Sequence, residues 1–524
     1  MIRTRLFTLT ASVCCSLVIG YAQLIDRTKA PNAANEGIAK SFDEEVGPGR
    51  GDIMTPKSSA FIMARDPFRA VRRGRQLFQR KFLRQDGEGP YVRDGKGDIE
   101  KNLGIGAGST DSCAACHGRP RGSAGSGGDV VTRPDSRDAP HLFGLGLKEM
   151  LADEITAELR ARRDAAIAKA KQGGAALTVP LISKGISYGS LTAKPDGTVD
   201  TAKVEGVDAD LRVRPFFAHG GTISIREFVI GALNNEMGFQ SNDPEVAKAS
   251  AGGRTVTPTG MVLDGKLDTI EIPPDPDPTK VDTGQQPRNQ MATAVVDYME
   301  FYLLNYFKPG AYEQTDQTVN GRAVFDRIGC ATCHVSDMQI DRDRRVADVE
   351  TVYDPRKGNM NSMFSTAAPL IKVIDDGTGL PSIKTAALKP YMVKDIFTDF
   401  KRHDLGPNFH ERNYDGSMQN QMMTTPLWGV GTTAPYGHDG RSINLTEVIL
   451  RHGGEAHQVR DAFANLASRD RSDVVAFLNS LVLFPPDDTA SNLDPGDRTA
   501  TGYPQLKHGA LKLTVLFNDP TDIE

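Results

Sequence analysis

Two short stretches of the 524-residue chain carry residues whose types and spacing could do chemistry: Cys113-Ala114-Ala115-Cys116-His117 and Cys330-Ala331-Thr332-Cys333-His334. Two thiols on one turn can form thioethers to the two vinyl groups of a haem. The adjoining imidazole can then reach the iron from below. A zinc site built from two Cys-x-x-Cys pairs is the competing chemistry. Structural zinc usually draws on pairs close in sequence, whereas these lie far apart and each is followed at once by His. The pattern predicts two covalently attached c-type haems, with His117 and His334 as proximal ligands. Of the six cysteines, Cys14 and Cys15 lie in the leading apolar segment, and the other four are all in the two motifs. None is left for a disulfide.

The elements around the motifs repeat. Gly74-Arg75-Gln76-Leu77-Phe78 precedes the first and Gly321-Arg322-Ala323-Val324-Phe325 precedes the second, with a Gly- and Asp-rich insertion between Phe78 and Cys113. Each motif therefore needs its own helical frame. The expected fold is mainly α: two cytochrome-c-like haem domains with long loops and a few short strands.

Helices are expected over Asp66–Leu83, from Leu147 through Leu159 to a stop at Gly173-Gly174, and from Ser224 to about Asn234. Ser224 with Glu227 three residues on is a capping-box signal. Further helices are expected over Arg288–Phe307, Val319–Ile328, up to His452 from a cap at Asn444, and Ser472–Phe484. Residues 250–288 suit a short hairpin and a loop, and 336–395 suit loop with short strands. An apolar stretch at Leu511–Phe517 suits a tail packed back on the body.

The start reads as a secretory signal: Arg3 and Arg5, an apolar run from Leu6 to Ile19, and Gly20-Tyr21-Ala22 as a cleavage site. An uncleaved anchor is the alternative, although the run is short for a bilayer span. The division expected is a signal peptide (1–22), a polar lead-in (23–60), an N-terminal haem domain (61–308) and a C-terminal haem domain with its tail (309–524). Loss of the signal removes two Arg and no acid from a chain of formal charge −5. An acidic surface disfavours nucleic acid as a partner, and no later stretch is apolar enough to span a membrane. The expected location is periplasmic or secreted.

Beyond the two motifs, Thr433-Ala434-Pro435-Tyr436-Gly437-His438-Asp439-Gly440 makes the chain resemble the bacterial di-haem cytochrome c peroxidase superfamily over roughly residues 62–515. Gly144–Glu149, Asn234–Gly238, Pro426–Gly429 and Arg451–Glu455 resemble its branch of di-haem (thiol) oxidoreductases and rubber oxygenases. In the peroxidases a Met fourteen residues after the His of His-Asp-Gly binds the second iron. The same count from His438 reaches His452, so the resemblance implies a His334/His452 pair. This exchange of ligand would lower the reduction potential.

The resemblance implies more about the first iron. The peroxidases cap it with a His in the loop after the motif, and residues 118–140 contain none; His141 falls at a packing position. An open distal site is therefore expected, with Glu236, followed by Met237, as the proton-handling catalytic group. The family's Trp between the haems is replaced here by Ala218, within Phe217-Ala218-His219-Gly220. The only Trp is Trp428, a core position or a bridge from the other side. A calcium held by Asp138 and by Thr433 and Pro435 is also implied, oxygen ligands suiting that ion. His403, His410, His457 and His508 read as surface or packing residues.

Three functions are open at this point. The first is a di-haem oxidoreductase of the peroxidase type, reducing peroxide or activating dioxygen at the N-terminal haem. The C-terminal haem would relay electrons from a small redox protein or another donor. The second is a rubber-oxygenase-like dioxygenase acting on an apolar polyisoprenoid, and the third a non-enzymatic electron carrier.

Overall fold

The computed structural model describes residues 41–82, 86, 110, 112–117, 138–273, 290–306, 310–311, 314–350, 366–413 and 416–482. The signal, most of the lead-in, the insertion before Cys113, the loop 118–137 and the tail lie outside the described residues. Among the described residues no helix is long and apolar enough to cross a membrane.

Twelve helices are described: α1 Phe42–Val46, α2 Ser59–Arg65, α3 Pro67–Gln79, α4 Cys113–His117, α5 Leu145–Gly173, α6 Ile225–Asn235, α7 Pro244–Ser250, α8 Thr293–Leu304, α9 Asp316–Arg327, α10 Leu445–Arg451, α11 His457–Ala464 and α12 Ser468–Asn479. Local chemistry explains most ends. Asp66 caps α3 ahead of Pro67 at its first position, Ser224 caps α6 through the Glu227 N–H, and Asn444 caps α10 through the Glu447 N–H. Gly174, at φ 66°, stops α5 in a left-handed conformation that a side chain would resist.

Two helices are shorter than the sequence expectation because strand pairing takes residues at one of their ends. α8 begins only at Thr293, since Gln290–Met291 pair in parallel with Gln240–Ser241. α12 stops at Asn479, since Leu481–Val482 pair with Gly310–Ala311. α3 stops at Gln79, where Arg80 turns extended. The hairpin expected within 250–288 forms at Arg254–Asp264. A meander that periodicity did not reveal, β1 Leu177–Ser183, β2 Ile186–Ala193 and β3 Val199–Asp200, packs on α5.

The repeat seen in the sequence recurs as a repeated helix crossing. At Gly74 a Cβ would lie 2.2 Å from the Tyr298 carbonyl oxygen, and at Gly321 it would lie 1.9 Å from that of Asp473. Only glycine lets α3 and α9 come this close to α8 and α12. Four residues further along each helix, Phe78 meets Tyr302 at 5.6 Å and Phe325 meets Phe477 at 5.5 Å. Gly146 and Gly431 complete the pattern, with a Cβ falling 2.0 Å from Leu304 O and 2.3 Å from Asn479 O.

Among the described residues, three apolar clusters fill the body. The first joins α2, α3, α6 and α8 and takes in Cys113 and Ala114. The third joins α9, α10, α11 and α12 and takes in Cys330 and Ala331. The second lies between, combining α5 and the meander with Met338, Ile340, Ile396, Phe400 and Trp428. It therefore draws on both sides of residue 309.

Candidate metal centres

Both Cys-x-x-Cys-His motifs are presented in the same way. Cys113–His117 forms the short helix α4, and Cys330–Thr332 forms a 3-10 turn entered through Gly329 at φ 96°. His117 Nδ1 lies 2.7 Å from Pro140 O, and His334 Nδ1 lies 3.0 Å from Phe397 O. A carbonyl can only accept, so Nδ1 carries the proton in both rings. Nε2 is then the nitrogen with a lone pair for a metal, which is the usual outer-sphere support of a ligating histidine. Burial pushes the His334 pKa down to about 4, keeping the ring neutral. Burial also pushes the Cys113 and Cys330 thiols up to about 12. Each motif offers two thiols and one Nε2 lone pair within five residues, the donors that a haem held by two thioethers requires. The donor set fits haem.

The carbonyl that holds His334 comes from a strained run. Asp395, Phe397 and Phe400 have φ of 53°, 53° and 56°, a left-handed region costly for residues with a Cβ. The Arg322 guanidinium packs 5.3 Å from the Phe397 ring centroid and bonds Asp395 at 2.8 Å, holding the run in place.

His452 ends α10, where its Nδ1 lies 2.8 Å from Val448 O and its ring meets Phe409 edge-on at 5.2 Å. Burial lowers its pKa, and its charge disfavours protonation of His334. The structure thus brings these two neutral imidazoles within electrostatic reach, each with Nδ1 already committed to a backbone carbonyl.

His403, read from the sequence as a surface or packing residue, is buried in the structure. It is 8% exposed, with Nε2 2.9 Å from Asp399 Oδ2 and Nδ1 2.7 Å from Glu455 Oε2. Burial opposes its charge, while hydrogen bonds to Asp399 and to the Cys333 thiol raise its pKa to about 11. Its turn interlocks with the segment after His452: Gly453 N–H donates to Leu405 O and Glu455 N–H to Asp404 O, both at 2.8 Å. Asp404 also accepts from His410 at 2.8 Å. The Cys333 sulfur, an Asp399 oxygen and a His403 nitrogen lie within 4.8 Å of one another.

At the His438-Asp439-Gly440 turn, Asp138 N–H donates to His438 O at 2.7 Å, and Asp138 Cβ lies 3.3 Å from where a Gly440 Cβ would be. Pro435 borders the same point at 3.4 Å. Burial, then the neighbouring Asp439, push the Asp138 carboxyl up to about 6. The side chain of His438 is buried, with Nε2 3.9 Å from Glu411 Oε2. Asp138 is thus brought to the turn that carries Thr433 and Pro435.

Glu236 is the half-buried cap at the C-terminus of α6, its N–H donating to Ala232 O at 3.0 Å. The helix is fixed at its other end. Glu149 Oε2 accepts from Ile225 N–H at 2.6 Å, and fully buried Arg226 bonds Asp243, Glu300 and Asp297. Met237 and Phe239 belong to the cluster against which Cys113 and Ala114 pack.

Where the resemblance expects a Trp, Ala218 O accepts from Met423 N–H at 2.8 Å, and neighbouring Phe217 is 43% exposed. Trp428 is buried in the second cluster. Its ring lies over Gly144, where a Cβ would sit 2.4 Å from it. The Trp428 carbonyl accepts from His141 Nε2 at 2.8 Å.

No curated protein matches the chain. Residues 362–481, the stretch that carries His403, His438 and His452, match a family model described as "Di-haem oxidoreductase, putative peroxidase". Across this segment the chain is similar to the di-haem oxidoreductases, and it is that family the comparison supports.

Proposed function

We propose that the protein is an exported di-haem c-type oxidoreductase that reduces peroxide at its N-terminal haem and relays electrons through its C-terminal haem. The observation that carries this reading is the shared presentation of His117 and His334, each with Nδ1 on a backbone carbonyl beside two thiols. The repeated Gly74/Tyr298 and Gly321/Asp473 crossings support a cytochrome-c-like frame around each motif. The family match supports the oxidoreductase class.

Haem, when bound, supplies an iron that exchanges single electrons and accepts a small oxidant. Cys113 and Cys116 would hold one haem over His117, and Cys330 and Cys333 the other over His334. His452 would close the second iron. Glu236 would take a proton from the near oxygen of peroxide and return it to the far one. Two electrons and two protons convert one peroxide to two waters, the electrons coming from a small one-electron redox protein. Asp138, Thr433 and Pro435 would hold a calcium at the turn between the halves.

The test is to purify the exported protein, quantify covalent haem, and add peroxide with a reduced small electron-transfer protein. Two haems per chain and oxidation of two donor equivalents per peroxide are expected. A purely low-spin spectrum that responds neither to peroxide nor to dioxygen with polyisoprene would sink the enzymatic reading.

A further inference from the structure

Electron relay needs a route between the haems, and the position of the family's intervening Trp is Ala218 here, with its carbonyl committed to Met423. Another connection is continuous. His117 Nδ1 donates to Pro140 O at 2.7 Å, and Pro140 is bonded to His141. His141 Nε2 donates to Trp428 O at 2.8 Å. The preceding residue, Leu427, donates its N–H to Ile396 O at 3.2 Å. Ile396 is bonded to Phe397, whose carbonyl accepts from His334 Nδ1 at 3.0 Å. Four hydrogen bonds and short covalent segments thus join the two motif histidines.

The direction of each bond is fixed by chemistry. Carbonyls only accept, so His141 must carry its proton on Nε2, and its Nδ1 accepts from Phe143 N–H at 3.3 Å. Burial holds this ring neutral, its pKa pushed down to about 4. The chain of bonds therefore stands without a proton moving, and hydrogen bonds couple electronically far better than an equal gap of van der Waals space.

We infer that the His141–Trp428 hydrogen bond carries inter-haem electron transfer in this protein, in place of the missing aromatic at Ala218. The inference rests on the di-haem reading above. In the step, one electron leaves a ferrous second haem, which becomes ferric, and reduces a ferric first haem to ferrous. No bond forms or breaks, and an external one-electron donor reloads the second haem. His141 acts as a positioning and coupling residue rather than a ligand.

The test is flash photolysis of the carbon monoxide adduct of the holoprotein carrying one electron, reading electron redistribution between the two haem spectra at matched driving force. His141→Leu should slow it by about an order of magnitude, with haem content and melting temperature near wild type. His141→Gln, whose amide can still donate to Trp428 O, should restore most of the rate. Trp428→Phe keeps the carbonyl and should retain the rate. A His141→Leu protein with both haems and an unchanged rate overturns the route, as does a Trp428→Phe variant that loses the rate. A wild-type protein with fewer than two haems would fail the functional reading instead.

Discussion

His403 reaches Glu455 across two loops, its Nδ1 lying 2.7 Å from the carboxylate Oε2. The contact ties the His403–Gly406 turn to the residues directly after His452. The bond to Asp399, 2% exposed, gives the turn a buried anchor. A glycine at 454 is required, since a Cβ there would sit 2.1 Å from Asp404 O and the backbone adopts φ 46°.

Removing His403 should therefore release His452. His403→Ala leaves Asp399 buried without its partner and is expected to cost about 3 kcal/mol. The second haem should pass from six-coordinate low-spin toward a mixture with high-spin, read by electron paramagnetic resonance. Burial opposes the charge and the Asp399 bond raises the pKa, so this contribution is present below the ordinary histidine value of 6.5 and declines as pH rises above it. An unchanged spectrum in His403→Ala would refute the lock.

The helix crossings predict a graded response. Gly74→Ala and Gly321→Ala each force a methyl into a backbone carbonyl and should cost roughly 1–3 kcal/mol. Gly173→Ala, near the end of α5, meets nothing within 4 Å and should be neutral or slightly stabilising. Thermal melting of the three variants would decide whether the first two glycines hold the same place in two frames.

Glu227 supplies a pH signature. It is 3% exposed, and burial raises its carboxyl from 4.5 to about 7. Between those values the folded state binds the extra proton, so stability falls as pH rises from 4.5 to 7 and the penalty is complete above 7. By linkage it is at most about 3 kcal/mol. Glu227→Gln should flatten this part of the melting-temperature profile and gain stability at pH 8 but not at pH 4. A profile unaltered by the substitution would remove Glu227 as its source.

Glu236→Gln tests proton handling. Peroxide turnover should fall by roughly 10²–10⁴, with both haem spectra and the one-electron potentials unchanged. Full activity in this variant would transfer the role to another residue.

Calcium removal tests the turn at His438. A chelator should lower the melting temperature of the wild-type protein and leave that of Asp138→Ala where it already lies. Equal chelator shifts in both would exclude Asp138 as a ligand.

The sequence by itself determined the parts governed by short-range chemistry. Two Cys-x-x-Cys-His motifs, the Gly-x-x-x-Phe repeat, and the caps at Ser224 and Asn444 depend on residues within a turn or two of each other, so spacing suffices to read them. The resemblance singled out His452 as a candidate ligand by a count from His438. Tertiary structure decided what depends on distant segments meeting. Periodicity misjudged the ends of α8 and α12, because strand partners fifty or more residues away claim Met291 and Leu481. The burial of His403 between Asp399 and Glu455 needed two distant segments to converge. The His141–Trp428 bond joins residues 287 positions apart in the chain. None of these has a local signature, since a hydrogen bond or a desolvated charge depends on which groups approach through space.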